Sequence, residues 1–218
     1  MEILLIRHGE TAWNRERRMQ GHIDIPLNEE GQRQARALGA ALAAERPDAI
    51  WSSDLQRARH TAQAIADAHD MPVVLHEALR ERCYGAFEGM TYQEIGERYP
   101  QGMKQWKARE LHARFPAGER EAETLHEFHQ RCVATVTDIA RRHDGRKLVI
   151  VAHGGVLDCL YRAATGMALD AERNFGIVNA AINRLHWDGD QFTLLQWADD
   201  THLTAAGLDE IDRTHPAA

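Results

Sequence analysis

The sequence is poor in the residues that build disulfide networks and metal cages. It holds three cysteines in 218 residues, and Cys83, Cys132 and Cys159 stand far apart with no CxxC pair among them. This spacing favours neither a disulfide framework nor a zinc site. We therefore predict that all three are reduced thiols in the core.

Long hydrophobic runs and excess positive charge are also missing. No apolar run approaches the roughly 20 residues that a membrane-spanning helix needs, and the first run, Ile3–Ile6, is too short for a secretory signal and is followed by charge. The net charge is −7, whereas a general nucleic-acid surface shows a basic excess. The sequence predicts a cytoplasmic protein without membrane or nucleic-acid partners, in which a local cluster of cations holds any anionic ligand.

Several common catalytic motifs are absent. The sequence has no GxxxxGK[ST] loop, which excludes a P-loop NTPase. None of the cysteines is followed six positions later by arginine, which excludes a cysteine phosphatase of the Cys-x5-Arg type. The two serines of the chain, Ser52 and Ser53, do not lie in GxSxG, which excludes a serine hydrolase of that type.

Apolar strand patterns alternate with helical patterns along the chain, which favours an α/β fold. We predict three α/β/α layers, in which helices flank a mainly parallel sheet and a β-hairpin follows at the C-terminal end. The predicted strands are Ile3–Ile6, Asp48–Ser52, Pro72–Leu75, Lys147–Ala152, Ala180–Trp187 and Gln191–Trp197. The predicted helices are 28–45 behind an Asn28 cap, 53–69 behind a capping box at Ser53, one after each of the capping boxes at Thr91 and Thr124, and 156–165.

No linker divides the chain, so we predict a single domain over residues 1–218. The least regular stretch, 96–118, is interpreted as a lid or insertion over the carboxyl edge of the sheet. The tail after Leu203 is weakly patterned and is predicted to fray. An edge strand of the C-terminal hairpin could pair in a homodimer.

Two buried strands, far apart in sequence, both end in His-Gly. Most of the 13 histidines, His22 among them, stand in polar stretches and are predicted to be solvated. His8 and His153 differ because each follows an apolar strand, and parallel strands deliver their carboxyl ends to one edge of a sheet. If the two strands are neighbours, these imidazoles face one another where ligands bind. Gly154 and Gly155 also open a helix whose free N–H groups favour an anion.

Cations and a carboxyl group complete the predicted site. Guanidinium groups match phosphate oxygens, and Arg7 precedes His8 while Arg57 begins the helix after the second strand. Positive charge nearby lowers the pKa of an imidazole and keeps it nucleophilic near pH 7. A proton donor for the leaving alkoxide is then needed, and Glu81 is preferred over Glu88, which we assign to the adjacent turn.

These residues resemble a known family in their order and spacing, over about residues 1–165. The family is the histidine phosphatase superfamily, also called phosphoglycerate mutase-like. The resemblance implies that His8 becomes a phosphohistidine, that Arg7, Arg57 and His153 bind the phosphoryl group, and that Glu81 acts as general acid and then base. The elements that carry it are Arg7-His8-Gly9-Glu10-Thr11 with Trp13-Asn14, Ser53-Asp54-Leu55 through Arg57 and Thr61-Ala62, Leu79-Arg80-Glu81 through Glu88-Gly89, and His153-Gly154-Gly155.

The same resemblance implies further contacts with the substrate. Asn14, Gln20, Gly21 and the backbone of Gly154 are implied to line the phosphate pocket. The stretch from Glu81 to Gly85 is similar to the Glu-Arg-x-Tyr-Gly of cofactor-dependent phosphoglycerate mutases. In those enzymes the arginine and tyrosine, here Arg82 and Tyr84, assist carboxylate or phosphate binding.

Two reactions share this machinery. Water attacking the phosphohistidine makes a phosphatase, and a second substrate hydroxyl makes a mutase primed by 2,3-bisphosphoglycerate. Thr91 and Tyr92 stand where those mutases carry a lysine, and the stretch from Arg109 to Thr124 is shorter than theirs. We therefore predict a phosphomonoester hydrolase of small phosphorylated metabolites. The alternatives are a phosphoglycerate mutase and, in another class, a non-catalytic phosphometabolite-binding protein.

The predicted chemistry needs no metal or other cofactor. Both histidines must be neutral and free of metal if one attacks phosphorus and the other contacts the transferred group. We therefore expect phosphatase activity to survive EDTA.

Overall fold

A six-stranded sheet forms the centre of the computed structural model, which describes residues 1–143, 145–204 and 207–209. The strands are β1 (Glu2–Arg7), β2 (Ala49–Ser52), β3 (Val73–Leu75), β4 (Lys147–Ala152), β5 (Ile182–Trp187) and β6 (Phe192–Asp199). Their order is β3-β2-β4-β1-β5-β6, with β1 to β4 parallel and β5 and β6 antiparallel. The mainly parallel sheet and the C-terminal hairpin are thus confirmed.

Helices cover both faces of this sheet. They are α1 (Ala12–Arg15), α2 (Glu29–Leu42), α3 (Gln56–Asp67), α4 (Tyr92–Arg98), α5 (Pro100–Lys107), α6 (Leu125–Arg141) and α7 (Gly154–Thr165), and two short 3-10 turns lie at Glu77–Leu79 and Gly85–Phe87. Leu4 and Ile6 of β1 pack in one core with α2 and α3, whereas Ile3 and Leu5 pack in a second core with α6 and α7. Burial on both faces explains why β1 is uniformly apolar, and it confirms the three-layer fold.

The stretch 96–118 is more regular than its sequence predicts. It includes the end of α4 and all of α5, and it packs on a small third core of its own. Phe115 stacks on Phe87 with ring centroids 4.4 Å apart. A proline at the first position of α5 lacks only an N–H that has no partner within the helix, so Pro100 starts this helix instead of breaking it. The role of 96–118 as a lid stays a prediction, as does the single domain over 1–218.

The first residues of the helices can be compared with the predicted N-caps. Asn28, Thr91 and Thr124 each accept a hydrogen bond from a backbone N–H of the first turn, as predicted. The capping box at Ser53 is wrong, because α3 starts at Gln56 behind Leu55 and has no side-chain cap. The hydroxyl of Ser53 is engaged elsewhere, with a histidine on the neighbouring strand.

The prediction that the tail frays is wrong for residues 207–209. The backbone N–H of Asn179 donates to the carbonyl of Leu208 at 3.0 Å, and the N–H of Ile177 donates to Oδ1 of Asp209 at 2.6 Å. These bonds join positions about 30 residues apart, so local pattern cannot reveal them. The rest of the tail, 205, 206 and 210–218, lies outside the described residues.

Two expectations from composition can be compared with the described part of the chain. Cys83, Cys132 and Cys159 are buried and free, as predicted. Within the same residues, no helix combines the length and the apolar character needed to span a bilayer.

Candidate active site

The ends of β1 and β4 bring the two predicted histidines together. The strands are parallel neighbours with Arg7 opposite Ala152, and the N–H of His8 continues the ladder by donating to the carbonyl of Ala152 at 3.0 Å. The imidazoles of His8 and His153 therefore meet edge to face, with ring centroids 5.2 Å apart. This confirms the predicted convergence of positions that lie 145 residues apart.

His8 is held with one ring nitrogen against the backbone. Its Nδ1 lies 2.7 Å from the carbonyl oxygen of Gly9, which can only accept, so Nδ1 carries the hydrogen and Nε2 the lone pair. Gly9 is needed here, because a Cβ would stand 2.6 Å from the carbonyl oxygen of Gly31. Burial lowers the pKa of His8 well below its usual value of 6.5, and Arg57 and Arg7 lower it further. The ring is therefore neutral and nucleophilic near pH 7.

His153 is buried more completely and has a different partner. Its side chain is 0% exposed, and Nε2 lies 2.8 Å from the hydroxyl oxygen of Ser53. Its Nδ1 is buried and makes no hydrogen bond with the described residues. Burial lowers the pKa of this ring as well, with smaller contributions from Arg57 and from His8. Both imidazoles are thus neutral.

Backbone carbonyls hold the two predicted arginines in place. Nη1 of Arg7 donates to the carbonyls of Ile177 and Leu208 at 2.7 and 3.1 Å. Arg57 donates from Nη2 to the carbonyl of Gly21 at 2.7 Å and from Nη1 to the carbonyl of Ile23 at 2.8 Å. Both guanidiniums are at most 1% exposed. Fixed positive charge in a buried site favours an anion strongly.

Glu81 lies where α7 begins. One carboxylate oxygen accepts from the N–H of Gly155 at 2.9 Å, and the other accepts from the N–H of Arg82 at 2.7 Å. A Cβ at position 155 would stand 2.2 Å from that carboxylate, so the glycine is what lets Glu81 approach the helix. Part of the predicted anion site at the N-terminus of α7 is therefore occupied by a side chain of the protein itself.

A small cavity of about 30 Å³ has His8 in its wall. Predicted residues line much of it, and Tyr92, Arg18 and Met19 join them. The wall consists of Arg7, His8, Asn14, Arg18, Met19, Gln20, Gly21, Arg57, Glu81, Tyr84 and Tyr92. A cavity holds one water when about 10–15 Å³ is open to the centre of a water-sized sphere, so 30 Å³ by the same measure suits a compact group such as a phosphoryl group, not a whole metabolite.

A larger pocket of about 310 Å³ lies next to it. Tyr84 and Tyr92 line both spaces, whereas the predicted contacts Arg82 and Gly154 line only the larger one. Trp106 and Phe115, from the stretch 96–118, add aromatic surface to this pocket. The predicted residues that line these spaces therefore divide into a phosphate group and a group placed for the remainder of a substrate, whereas His153 lines neither space and lies behind His8 with its ring 5.2 Å away.

The other carboxylates near His8 have structural partners. Glu88 accepts from the N–H groups of His22 and Tyr84 at 3.1 and 2.9 Å, in agreement with its assignment to the turn. Glu10 binds the side chains of Arg15 and Asn28 and so fixes the loop after His8.

Sequence reasoning missed several residues at this site. His22 is half-buried, not solvated, and its Nε2 donates to the carbonyl of Glu81 at 2.8 Å. Asn179 donates from its side chain to the carbonyl of His8 at 2.8 Å, and the hydroxyl of Thr61 accepts from the N–H of Gly9 at 3.0 Å. Thr61 and Ser53 both stand in an element that carries the family resemblance, but no contact was predicted for Thr61, and Ser53 was assigned to a helix cap.

The described residues include no group of three or more His, Cys, Asp or Glu side chains that could hold a metal ion. Both neutral histidines instead contact protein groups through one nitrogen each. The arrangement supplies a nucleophile, two fixed cations and a carboxylate around a space for one compact anion. It is equipped for phosphoryl transfer to a histidine.

Comparisons with known proteins agree with this geometry. The sequence profile of the histidine phosphatase superfamily (branch 1) matches residues 3–200. Phosphoglycerate mutase-like protein 4 of Arabidopsis thaliana is 37% identical over 95% of this chain and 89% of its own length, and a metal-independent phosphoserine phosphatase of the same plant is 35% identical over 95% and 85%. The solved structure of Bacillus stearothermophilus YhfR superimposes with a TM-score of 0.84 at 35% identity, over 92% of this chain and 98% of that one. The chain is a member of the histidine phosphatase superfamily.

Proposed function

We propose that this enzyme hydrolyses phosphate monoesters of small metabolites through a phosphohistidine at Nε2 of His8. The observation that carries the proposal is the 2.7 Å bond from Nδ1 of His8 to the carbonyl of Gly9. It leaves the lone pair of a buried, neutral imidazole on Nε2, away from that carbonyl, and His8 lines a cavity of phosphoryl size. A nucleophile so prepared needs no base to activate it.

The two chemical steps then use the same residues. Nε2 of His8 bonds to phosphorus as the ester P–O bond breaks, and the leaving oxygen takes a proton from Glu81. A water next gives a proton to Glu81 and attacks phosphorus, which breaks the P–N bond and releases phosphate. Arg7 and Arg57 offset the negative charge on the phosphoryl oxygens in both steps.

Hydrolysis is favoured over isomerisation by the walls of the larger pocket. Tyr92 stands at the boundary of the two spaces, and its ring lies 5.1 Å from that of Trp106. The phenol of Tyr92 supplies no cationic charge at the position where a lysine would hold a second phosphorylated substrate, and the cations of the larger pocket, Arg82, Lys107, Arg109 and Arg173, do not line the smaller space. The isomerase reaction is the second candidate, because a relative is named phosphoglycerate mutase-like.

The larger pocket supports substrates that carry a carboxylate. Arg82 is 5% exposed, its Nε donates to the carbonyl of Glu123 at 2.9 Å, and its Nη2 is buried without a hydrogen bond to the described residues. A buried guanidinium beside a 310 Å³ space is completed by an anionic group of the ligand. Phosphoserine, which a relative's name mentions, has its carboxylate close to the phosphate.

A pair of matched substrates tests this proposal. O-phospho-L-serine and phosphoethanolamine share the phosphate and the amine and differ by one carboxylate. We expect kcat/KM to be higher for phosphoserine, and Arg82→Gln to reduce it about 10- to 100-fold for phosphoserine alone, since hydrogen bonds to charged groups contribute about 1.5–3 kcal/mol. An equal loss of kcat/KM for both substrates in Arg82→Gln would show that Arg82 does not recognise the carboxylate.

The balance between hydrolysis and isomerisation has its own test. The enzyme is incubated with 3-phosphoglycerate and 2,3-bisphosphoglycerate, and released phosphate and 2-phosphoglycerate are followed together. We expect phosphate release to be the faster process. Isomerisation that outruns it would make the enzyme a mutase. Action in the cytoplasm and a homodimer paired at the β6 edge stay predictions from the sequence.

A further inference from the structure

Ser53 joins a neighbouring strand to the second histidine of the site. It follows β2, its N–H donates to the carbonyl of Val151 in β4 at 3.0 Å, and it is 0% exposed. Its hydroxyl oxygen lies 2.8 Å from Nε2 of His153. The hydroxyl is therefore not a helix cap, and it contacts the ring that stands against the nucleophile.

The direction of this hydrogen bond decides which nitrogen of His153 carries a hydrogen. A neutral imidazole has one N–H and one lone pair. A serine hydroxyl has one hydrogen to donate, and the N–H of Leu55 already points at the oxygen of Ser53 from 3.4 Å. The hydroxyl hydrogen is thus free to point at Nε2, and the ring's own hydrogen then resides on Nδ1.

That tautomer suits an anion in the site. Nδ1 of His153 is buried and has no hydrogen bond to the described residues, and its ring stands 5.2 Å from that of His8. With hydrogen on Nδ1, the ring can donate to a phosphoryl oxygen. With hydrogen on Nε2, it would turn a lone pair toward negative charge, which is repulsive.

We propose that Ser53 is a positioning residue, whose hydroxyl donates to Nε2 of His153 and so holds Nδ1–H ready for the transferred phosphoryl group. The proposal rests on the proposed function for its consequence in catalysis. The tautomer itself can be observed without turnover. A failure of one proposal can therefore be told from a failure of the other.

Kinetics of three variants test the consequence. In Ser53→Ala, we expect kcat for p-nitrophenyl phosphate to fall about 10- to 100-fold, by analogy with residues that orient metal-binding histidines, with KM changed by less than about threefold. Ser53→Thr restores a hydroxyl and should recover most of kcat.

Ser52→Ala is the matched control. It also removes a fully buried serine hydroxyl, but this hydroxyl donates to the backbone carbonyl of Ser53 at 2.8 Å and does not contact the imidazole. We expect its kcat to stay near that of the wild type. An unchanged kcat in Ser53→Ala, or an equal loss in Ser52→Ala, would overturn the positioning role.

Nitrogen-15 NMR of histidine-labelled wild-type protein tests the tautomer directly, whether or not the variants fold. With inorganic phosphate bound, and with His153→Gln used to assign the signals, we expect Nδ1 of His153 to be protonated and Nε2 to be unprotonated. A proton found on Nε2 instead would overturn the proposal. Turnover in His8→Ala tests only the nucleophile, so the NMR result on the tautomer of His153 does not depend on it.

Discussion

β1 and β4 are both followed by His-Gly, but the two histidines have different hydrogen-bond partners, a carbonyl for His8 and a hydroxyl for His153. Nδ1 of His8 contacts a carbonyl of its own loop, so its hydrogen faces the protein and its lone pair is left on Nε2 of a ring that lines the cavity. His153 meets the hydroxyl of Ser53 from the neighbouring strand, so its lone pair can face the protein. Burial lowers the pKa of both rings. By these two proposals, one partner atom, and not the shared His-Gly motif, separates the nucleophile from the hydrogen-bond donor.

The largest effect should follow from removing the ring that attacks. His8→Ala should lower kcat/KM for p-nitrophenyl phosphate by about 10⁴-fold or more, because the covalent route is lost. Steady-state hydrolysis by the purified variant, with thermal unfolding as a check of folding, measures this. Activity within tenfold of the wild type would mean that the β1 end does not supply the nucleophile.

Removing the other ring should cost less. His153→Ala keeps the nucleophile and loses one donor to the phosphoryl group, so we expect a fall of about 10²- to 10³-fold in kcat, the usual cost of one such donor. The same assay, run beside His8→Ala, compares the two strand ends. A loss as large as that of His8→Ala would contradict the division of roles.

Burial lowers the pKa of both His8 and His153, and this predicts how the free energy of unfolding depends on pH. Their folded-state pKa values are lowered, so the unfolded chain binds more protons below its histidine pKa of about 6.5. Stability should be fully present above pH 6.5 and should decrease as the pH falls below it, by at most about 1.4 kcal/mol per pH unit for each ring. Urea unfolding at pH 7, 6 and 5 measures the slope.

The double variant H8N/H153N is the control for this slope. It removes both buried imidazoles, so the histidine part of the slope should disappear between pH 6.5 and 5. An unchanged slope in the double variant would show that other groups cause it.

The smallest effect is expected for Asn179, whose side chain holds the backbone of His8 at the end of β1. Asn179 donates to the carbonyl of His8 at 2.8 Å, and its own N–H binds the carbonyl of Leu208. Asn179→Ala should reduce the free energy of unfolding by about 1 kcal/mol, as for one buried hydrogen bond, and lower kcat only a few-fold. Urea unfolding and the same phosphatase assay test both numbers. A loss in kcat as large as that of His153→Ala would place Asn179 in the chemistry itself.

Much of this site could be predicted because its residues stand at strand ends. Ile3–Ile6 and Leu148–Ala152 are so uniformly apolar that only buried parallel strands fit them, and such strands fix where His8 and His153 emerge. The position of Arg57 near the site was predicted in the same way, because it stands at the start of the helix that follows the second strand. Glu81 was preferred over Glu88 as the proton donor from the residues alone, and the resemblance to the family implied the same role.

What could not be predicted depends on contacts between distant loops. Asn179 and Leu208 reach the site through backbone and side-chain hydrogen bonds with residues more than 170 positions away. Ser53 was misassigned because a local rule, the capping box, fits its sequence while a contact across the sheet determines its partner. The helix α5 was missed because its few apolar positions pack on a small satellite core.

Trapping the covalent intermediate tests the central claim most directly. Wild-type enzyme is mixed with a 32P-labelled phosphate monoester, quenched in alkaline detergent within milliseconds, and digested for mass spectrometry. We predict label on Nε2 of His8, stable in alkali and lost in mild acid as expected for a P–N bond, and no label in His8→Ala. Label on any other residue, or turnover through His8 without a labelled intermediate, would contradict the account.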